Sequence, residues 1–444
     1  MHSVLGLLSI FACSLIHCNR IAIKQNILSP PLTNKPFVVT WNVASEQCEE
    51  IYGVPLDLSD FDIVHNPDKS WRGTTLTIFY ADQLGLFPYY DSEGNAVNGG
   101  LPQLADLYAH LKKAAEDIVS SIPEHDFQGL AVIDWEAWRP LWVLEGWGAG
   151  LIYQNKSVEK VQKDHPDWTR DKILAQAKLE YESGTKSIME FTLALGKLLR
   201  PKALWGFYLY PDCANYNKNG TKDSFKCTDQ VLKRNDQIQW VFDDSNALYP
   251  SVYLGEWFSN HTSAIYYVAY RILEAMRVDS DRPSDFSIPV FAYHLLTYRK
   301  VPEFVSLFDL RDSIGVASLL GSSGMVIWAD HNVANSVERC QNLSNYISTT
   351  LGPYVKATSD AATLCSYDYC SGHGRCVLSH FPDANSLKSS YLTVAEATDE
   401  ILRIKEFGGK VIDLLRVGSA SSKYSTICQC YNGWTGKSCQ NLKL

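Results

Sequence analysis

The chain has 444 residues, 46% hydrophobic and 20% charged, enough for one large folded domain and a small one. Its formal net charge of −9 argues against general nucleic-acid binding, which needs a basic face, and any polyanionic ligand would need a local basic patch. Twelve Trp and 24 Tyr offer rings on which sugars stack, although such residues also fill cores.

The first segment, residues 1–18, reads as a signal peptide. Its apolar run begins at Val4 and is too short for a confident membrane span, and its weak n-region holds His2 rather than Lys or Arg. Removing it takes two of the twelve cysteines and leaves ten, an even number that suits an oxidising compartment. Four glycosylation sequons, at Asn155, Asn219, Asn260 and Asn342, agree with that compartment. No apolar tail follows the last cysteine, so neither a lipid anchor nor a span in the mature chain is expected.

Short apolar segments then recur in chain order, at 37–41, 76–80, 129–136, 204–208, 251–254, 288–293 and 325–328. Helical periodicity fills 101–120 and 157–199, the second stretch broken near 165–168 by His-Pro-Asp-Trp. Alternating strand and helix over some 320 residues favours an α/β fold of the distorted, TIM-like (β/α) barrel type over an open doubly wound sheet. No Gly-rich dinucleotide fingerprint follows the first strand. Polar or aromatic residues close most strands, among them Tyr80, Asp134 with Glu136, Tyr208, Tyr253, Tyr293 and Trp328. In a barrel such ends converge on one face.

The most informative stretch is Gly129-Leu-Ala-Val-Ile-Asp-Trp-Glu-Ala-Trp-Arg-Pro140. Four apolar residues run into two carboxylates, which in a continued strand share a face about 6.6 Å apart. Alone, the pair also fits solvated residues at a strand end. Flanking tryptophans and Arg139 favour a sugar cleft, because carboxylates are costly to bury unless something satisfies or uses them.

After about residue 360 the composition shifts. Cys365, Cys370, Cys376, Cys428, Cys430 and Cys439 look like a growth-factor-type (EGF-like) disulfide module, split by a long Ser-rich insert with a helical piece near 395–405. The division expected is a barrel over 19–360 and the module over 361–444. The expected pairs are Cys365–Cys376, Cys370–Cys428 and Cys430–Cys439, although spacing alone does not settle them. His373, in a disulfide-bound turn, reads as structural rather than as a ligand.

These motifs resemble the animal hyaluronidases, glycoside hydrolase family 56. The resemblance runs from about Lys35 to Cys439. It rests on 129–140, on Thr77-Ile-Phe-Tyr-Ala-Asp-Gln-Leu-Gly85, on Leu204-Trp-Gly-Phe-Tyr208 with Pro211-Asp-Cys213, on Ala247-Leu-Tyr-Pro-Ser-Val-Tyr253, on Thr349-Thr-Leu-Gly-Pro353 and on Cys370-Ser-Gly-His-Gly-Arg-Cys376. It implies an endo-β-N-acetylhexosaminidase that cleaves β-1,4 bonds of hyaluronan, and chondroitin more slowly. Glu136 then resembles the family acid, and Asp134 and Tyr253 the residues that hold the substrate acetamido group. Tyr80, Tyr208 and Trp328 resemble cleft-lining residues, and Arg271 a basic contact beside them; Tyr293, closing its strand on the same face, is also expected to bind substrate. The resemblance further implies Cys48–Cys340 and Cys213–Cys227.

With the acetamido oxygen as nucleophile, hydrolysis is substrate-assisted, retains configuration and needs no enzyme nucleophile. No metal or cofactor is expected, and the chain is expected to act as a monomer, secreted or lysosomal. The alternative is a weakly active or inactive glycosaminoglycan-binding protein that keeps the fold. Two departures from the family pattern bear on it. Glu145-Gly-Trp147-Gly-Ala-Gly150 replaces a family Asn-Trp and charged turn with one extra residue, and Glu145 is expected to place negative charge by the cleft. Asp330 and His331 stand where relatives often carry an aromatic or small hydroxyl residues.

Overall fold

The computed structural model describes residues 27–62, 73, 75–216, 225–259, 263–378 and 426–443. The expected signal peptide, the sequons at Asn219 and Asn260 and the helical piece at 395–405 lie outside them. Two parallel three-stranded sheets form the centre. In one, Gly324–Ala329 lies between Val38–Val43 and Phe291–Leu295. In the other, Leu130–Asp134 lies between Leu76–Tyr80 and Leu204–Phe207. Single bridges Tyr208↔Tyr249, Leu248↔Val290 and Ser251↔Tyr293 link the sheets through segment 247–253, giving a distorted barrel-like core with helices around it.

That segment differs from expectation: 251–254 forms no continuous strand. Pro250 and Pro289 bring no N–H to a ladder, so pairing there breaks into bridges such as Tyr293 N–H to Pro250 O at 2.8 Å and Leu248 N–H to Pro289 O at 3.0 Å. Gly206 makes the close approach possible, since a Cβ there would lie 2.2 Å from Ala247 O. The strand expected at 288–293 correspondingly begins only at Phe291.

Strand alternation separates two environments. Val38, Ile78, Leu130, Val132 and Val326 meet inside the barrel with Tyr208, Tyr249 and Tyr293. Their neighbours Val39, Trp41, Phe79, Ile133, Trp205 and Ile327 face outward into the helix layer. Helix Leu107–Ser121 starts at Asp106, whose side chain accepts the Ala109 N–H. Helices Leu151–Asp164 and Arg170–Leu199 are separated where the sequence places Pro166, with His165 stacked on Trp168.

Helix Gly352–Cys370 runs through residue 360 without interruption and leads into the hairpin of Gly374–Leu378 and Thr426–Cys430. Cys365–Cys376, Cys370–Cys428 and Cys430–Cys439 staple this small module, and His373 stacks on Trp434. Buried Arg375 donates to Gly321 O at 2.5 Å, tying the hairpin to the barrel. Cys213 is bonded to Cys227, and Cys48 to Cys340 across 292 residues. Closing so long a loop restricts the unfolded chain most, so replacing Cys48 and Cys340 by Ala should lower unfolding free energy by up to about 5 kcal/mol, read from the denaturant midpoint. An unchanged midpoint would contradict that role. Asn155 and Asn342 are both exposed on helices.

Candidate active site

Asp134 continues the inward face of Leu130 and Val132, so the same alternation that buries the apolar residues delivers a carboxylate to the barrel mouth. Tyr80 is its register partner on the neighbouring strand. Its Oδ1 is buried and accepts no hydrogen bond from the described residues. Burial, then the nearby Glu136, pushes the Asp134 carboxyl up to about 8, and Arg139 pulls the other way. Glu136 lies two residues beyond the strand end, and its side chain is 53% exposed. The two acids therefore belong to different environments, one sunk into the mouth and one facing solvent, rather than standing as equivalent residues of one strand.

The intervening tryptophans do not line the cleft. Trp135 is buried against Phe87 at 4.7 Å between ring centres, and Trp138 stacks on the same ring while its indole donates to Pro88 O at 2.8 Å. They fix the turn that carries the acids. Arg139 completes it: its guanidinium donates to Glu136 O at 2.9 Å and lies 3.5 Å from the Glu136 carboxylate. The i, i+3 spacing of Glu136 and Arg139 was the signal for that pair.

Around this centre, Trp328 Nε1 donates to Tyr80 Oη at 3.0 Å, joining the two sheets across the mouth. Trp328 also stacks on Tyr253, and Tyr253 lies beside Tyr208 with ring centres 5.9 Å apart. Tyr208 donates to Ser251 Oγ at 3.3 Å, a partner the sequence did not point to. Burial and the nearby carboxylates raise the phenol pKa values of Tyr80 and Tyr208, keeping them protonated donors. Tyr293 sits a layer deeper, fully buried, with its hydroxyl accepting from Asn42 at 3.3 Å. Arg271 is fully buried too. It donates to Asn215 Oδ1 at 2.8 Å and Ser251 O at 2.7 Å, and lies 3.4 Å from Asp212. It braces the wall that carries Ser251 rather than presenting charge to solvent.

A paired acid at an aromatic mouth of this topology has close relatives. The glycoside hydrolase family 56 model, described as hyaluronidase, matches residues 26–443. This chain belongs to the hyaluronidase family. Bovine (Bos taurus) hyaluronidase-1 is 38% identical over 427 residues, covering 95% of this chain and 93% of its own. Mouse (Mus musculus) hyaluronidase-2 is 38% identical over 422 residues, covering 93% and 87%. The crystal structure of bee venom hyaluronidase in complex with a hyaluronic acid tetramer superposes with TM-score 0.63 at 32% identity, covering 72% of this chain and 98% of that one.

Against this hyaluronidase background, the expectation for Glu145 is corrected. It adds no exposed charge to the cleft: it is 2% exposed, its Oε1 accepts the Arg139 N–H at 2.6 Å, and burial raises its pKa to about 7. Trp147, two residues on, is 72% exposed. Asp330 caps the short helix His331–Ala334, accepting the Asn332 N–H at 2.9 Å, and His331 is exposed. Among the described residues no group of His, Cys, Asp and Glu could hold a metal ion, and no helix is long and apolar enough to cross a membrane.

Proposed function

We propose that Glu136 and Asp134 are the machinery of this hyaluronan-degrading glycoside hydrolase, acting by substrate-assisted hydrolysis with retention. The carrying observation is the buried Oδ1 of Asp134, without a hydrogen-bond partner among the described residues, beside solvent-facing Glu136. Glu136 protonates the leaving glycosidic oxygen while the acetamido oxygen attacks the anomeric carbon. The glycosidic bond breaks as the oxazolinium ring closes. Asp134 accepts the acetamido N–H and stabilises the positive charge that develops. Water then opens the ring, with Glu136 taking its proton, and the enzyme returns to its starting state.

One proton serves the pair, since two close carboxylates resist double ionisation. The Asp134 carboxyl is raised to about 8, so the pair keeps one proton through neutral pH; substrate binding moves that proton to Glu136 and leaves Asp134 ionised to accept the acetamido N–H, and turnover should fall on the alkaline side near that value. Tyr253, stacked on Trp328 beside Tyr208, holds the acetamido group in line in this reading, where orientation is worth much of the barrier. Tyr253→Phe should therefore lower kcat/KM about tenfold, the scale of one well-made hydrogen bond, and steady-state kinetics on defined oligosaccharides will show it. A variant as efficient as the wild type would remove Tyr253 from this role.

The experiment for the whole reading is to follow new reducing ends and chain length with hyaluronan and with chondroitin across acid to mildly alkaline pH. New N-acetylhexosamine ends on shortened hyaluronan are expected. Binding without shortening would favour a glycosaminoglycan-binding protein instead. Five disulfides and exposed sequons at Asn155 and Asn342 support residence in an oxidising, secretory or lysosomal compartment.

A further inference from the structure

We infer that Glu145, in the loop after the acid-bearing turn, is a positioning residue for the active site, holding Arg139 and through it Glu136. The inference rests on the catalytic reading above. Its first support is connectivity. Glu145 Oε1 accepts the Arg139 N–H at 2.6 Å, while the Tyr181 hydroxyl donates to Arg139 O at 2.8 Å and Thr185 Oγ1 donates to Pro140 O at 3.0 Å. The Arg139 backbone is thus gripped from both ends. Its guanidinium leaves in one direction, to the Glu136 main-chain oxygen and carboxylate.

The second support is the space made for this carboxylate. A Cβ on Gly150 would lie 2.5 Å from Glu145 Oε2 and 2.8 Å from its Cα. Helix Leu151–Asp164 begins directly after Gly150, so the carboxylate sits against a helix start, where negative charge is favoured. Gly150 therefore makes room for the buried glutamate of the same loop. Burying a carboxylate carries a desolvation cost, and placing it on the arginine that holds the catalytic acid gives that cost a use.

Glu145 also sets the charge balance. The groups that face it are Arg139, Tyr153 of helix Leu151–Asp164, Tyr181 of helix Arg170–Leu199, and Tyr210. Of these only Arg139 is charged at neutral pH, and Arg139 favours the ionised form of Asp134. Above about pH 7 the Glu145 carboxylate offsets part of that pull. Without it, the acid pair gives up its proton at lower pH.

The test uses Glu145→Ala, Glu145→Gln and Gly150→Ala in the full chain, with kcat, KM and pH profile measured on hyaluronan and melting curves to count folded enzyme. Glu145→Ala is expected to lower kcat about ten- to hundredfold, the scale of a misplaced catalytic group, with KM within about twofold. Glu145→Gln keeps an acceptor for the Arg139 N–H and should recover most of kcat. Both should move the alkaline limb to lower pH. Gly150→Ala, which changes no charge, should lower kcat by crowding the carboxylate out of place. If Glu145→Ala does not fold, the other two variants decide by the same criteria. Folded variants with wild-type kcat and alkaline limb, or with altered melting alone, would overturn the inference. Glu136→Gln run alongside separates the failures: a dead Glu136 variant with normal Glu145 variants rejects only this inference, whereas an active one rejects the catalytic reading.

Discussion

Glu136→Gln should cut kcat on hyaluronan at least about 10²-fold, the scale of a positioned general acid, while leaving the fold intact. The variant keeps size and shape but cannot give a proton to the leaving oxygen. The native side chain is 53% exposed and its carboxylate contact with Arg139 is long, at 3.5 Å, so little stability depends on it. An exposed ion pair is worth at most about 1 kcal/mol, and the melting temperature should barely move. KM should change little, because the acid works on a group that changes only in the transition state. Near-normal turnover would remove Glu136 from the acid's role.

Asp134→Asn should trade activity for stability. Asparagine cannot carry the charge that stabilises the forming oxazolinium, and its amide does not share a proton with Glu136, so a kcat loss of about 10²-fold or more is expected. Stability should move the other way. Folding raises the Asp134 carboxyl from 3.8 to about 8, so the folded state prefers the protonated form. The stability linked to that preference is complete below the unfolded value and is lost as pH rises toward about 8. At roughly 1.4 kcal/mol per unit the ceiling is about 6 kcal/mol, and relaxation with water entry at a partly open mouth brings the expectation to about 1–3 kcal/mol. The Asn variant should therefore unfold at higher denaturant than the wild type near pH 8, and at the same denaturant near pH 4. Equal stability at both would mean that the mouth does not penalise the charge.

Much of this was legible because periodicity and chemistry agree at the strand ends. The run from Leu130 to Asp134 is apolar until it meets solvent, and alternation alone assigns Asp134 to the inside. The break between the two long helices was legible from Pro166. Tertiary packing decided the rest. Whether Trp135 and Trp138 face a sugar or a core depends on Phe87, more than 40 residues earlier in the chain. Arg271 resembles a basic cleft contact in sequence and is fully buried in space, held by Asn215, Asp212 and the Ser251 carbonyl from three separate positions. Glu145 reads as surface charge until the turn at Arg139 folds back over it. Segment 251–254 has strand composition, but prolines at 250 and 289 limit its pairing to single bridges. In each case a local pattern gave the residue's type and a distant partner gave its job.

The central claim is that the substrate's acetamido oxygen attacks while Asp134 and Glu136 manage a single proton. It is tested most directly by hyaluronan whose N-acetyl groups carry none to three fluorines, with kcat measured for each. Fluorine withdraws electrons from that oxygen, so kcat should fall steeply and monotonically along the series while the polymer still binds. A flat series would contradict the account, because it would mean that another atom forms the bond.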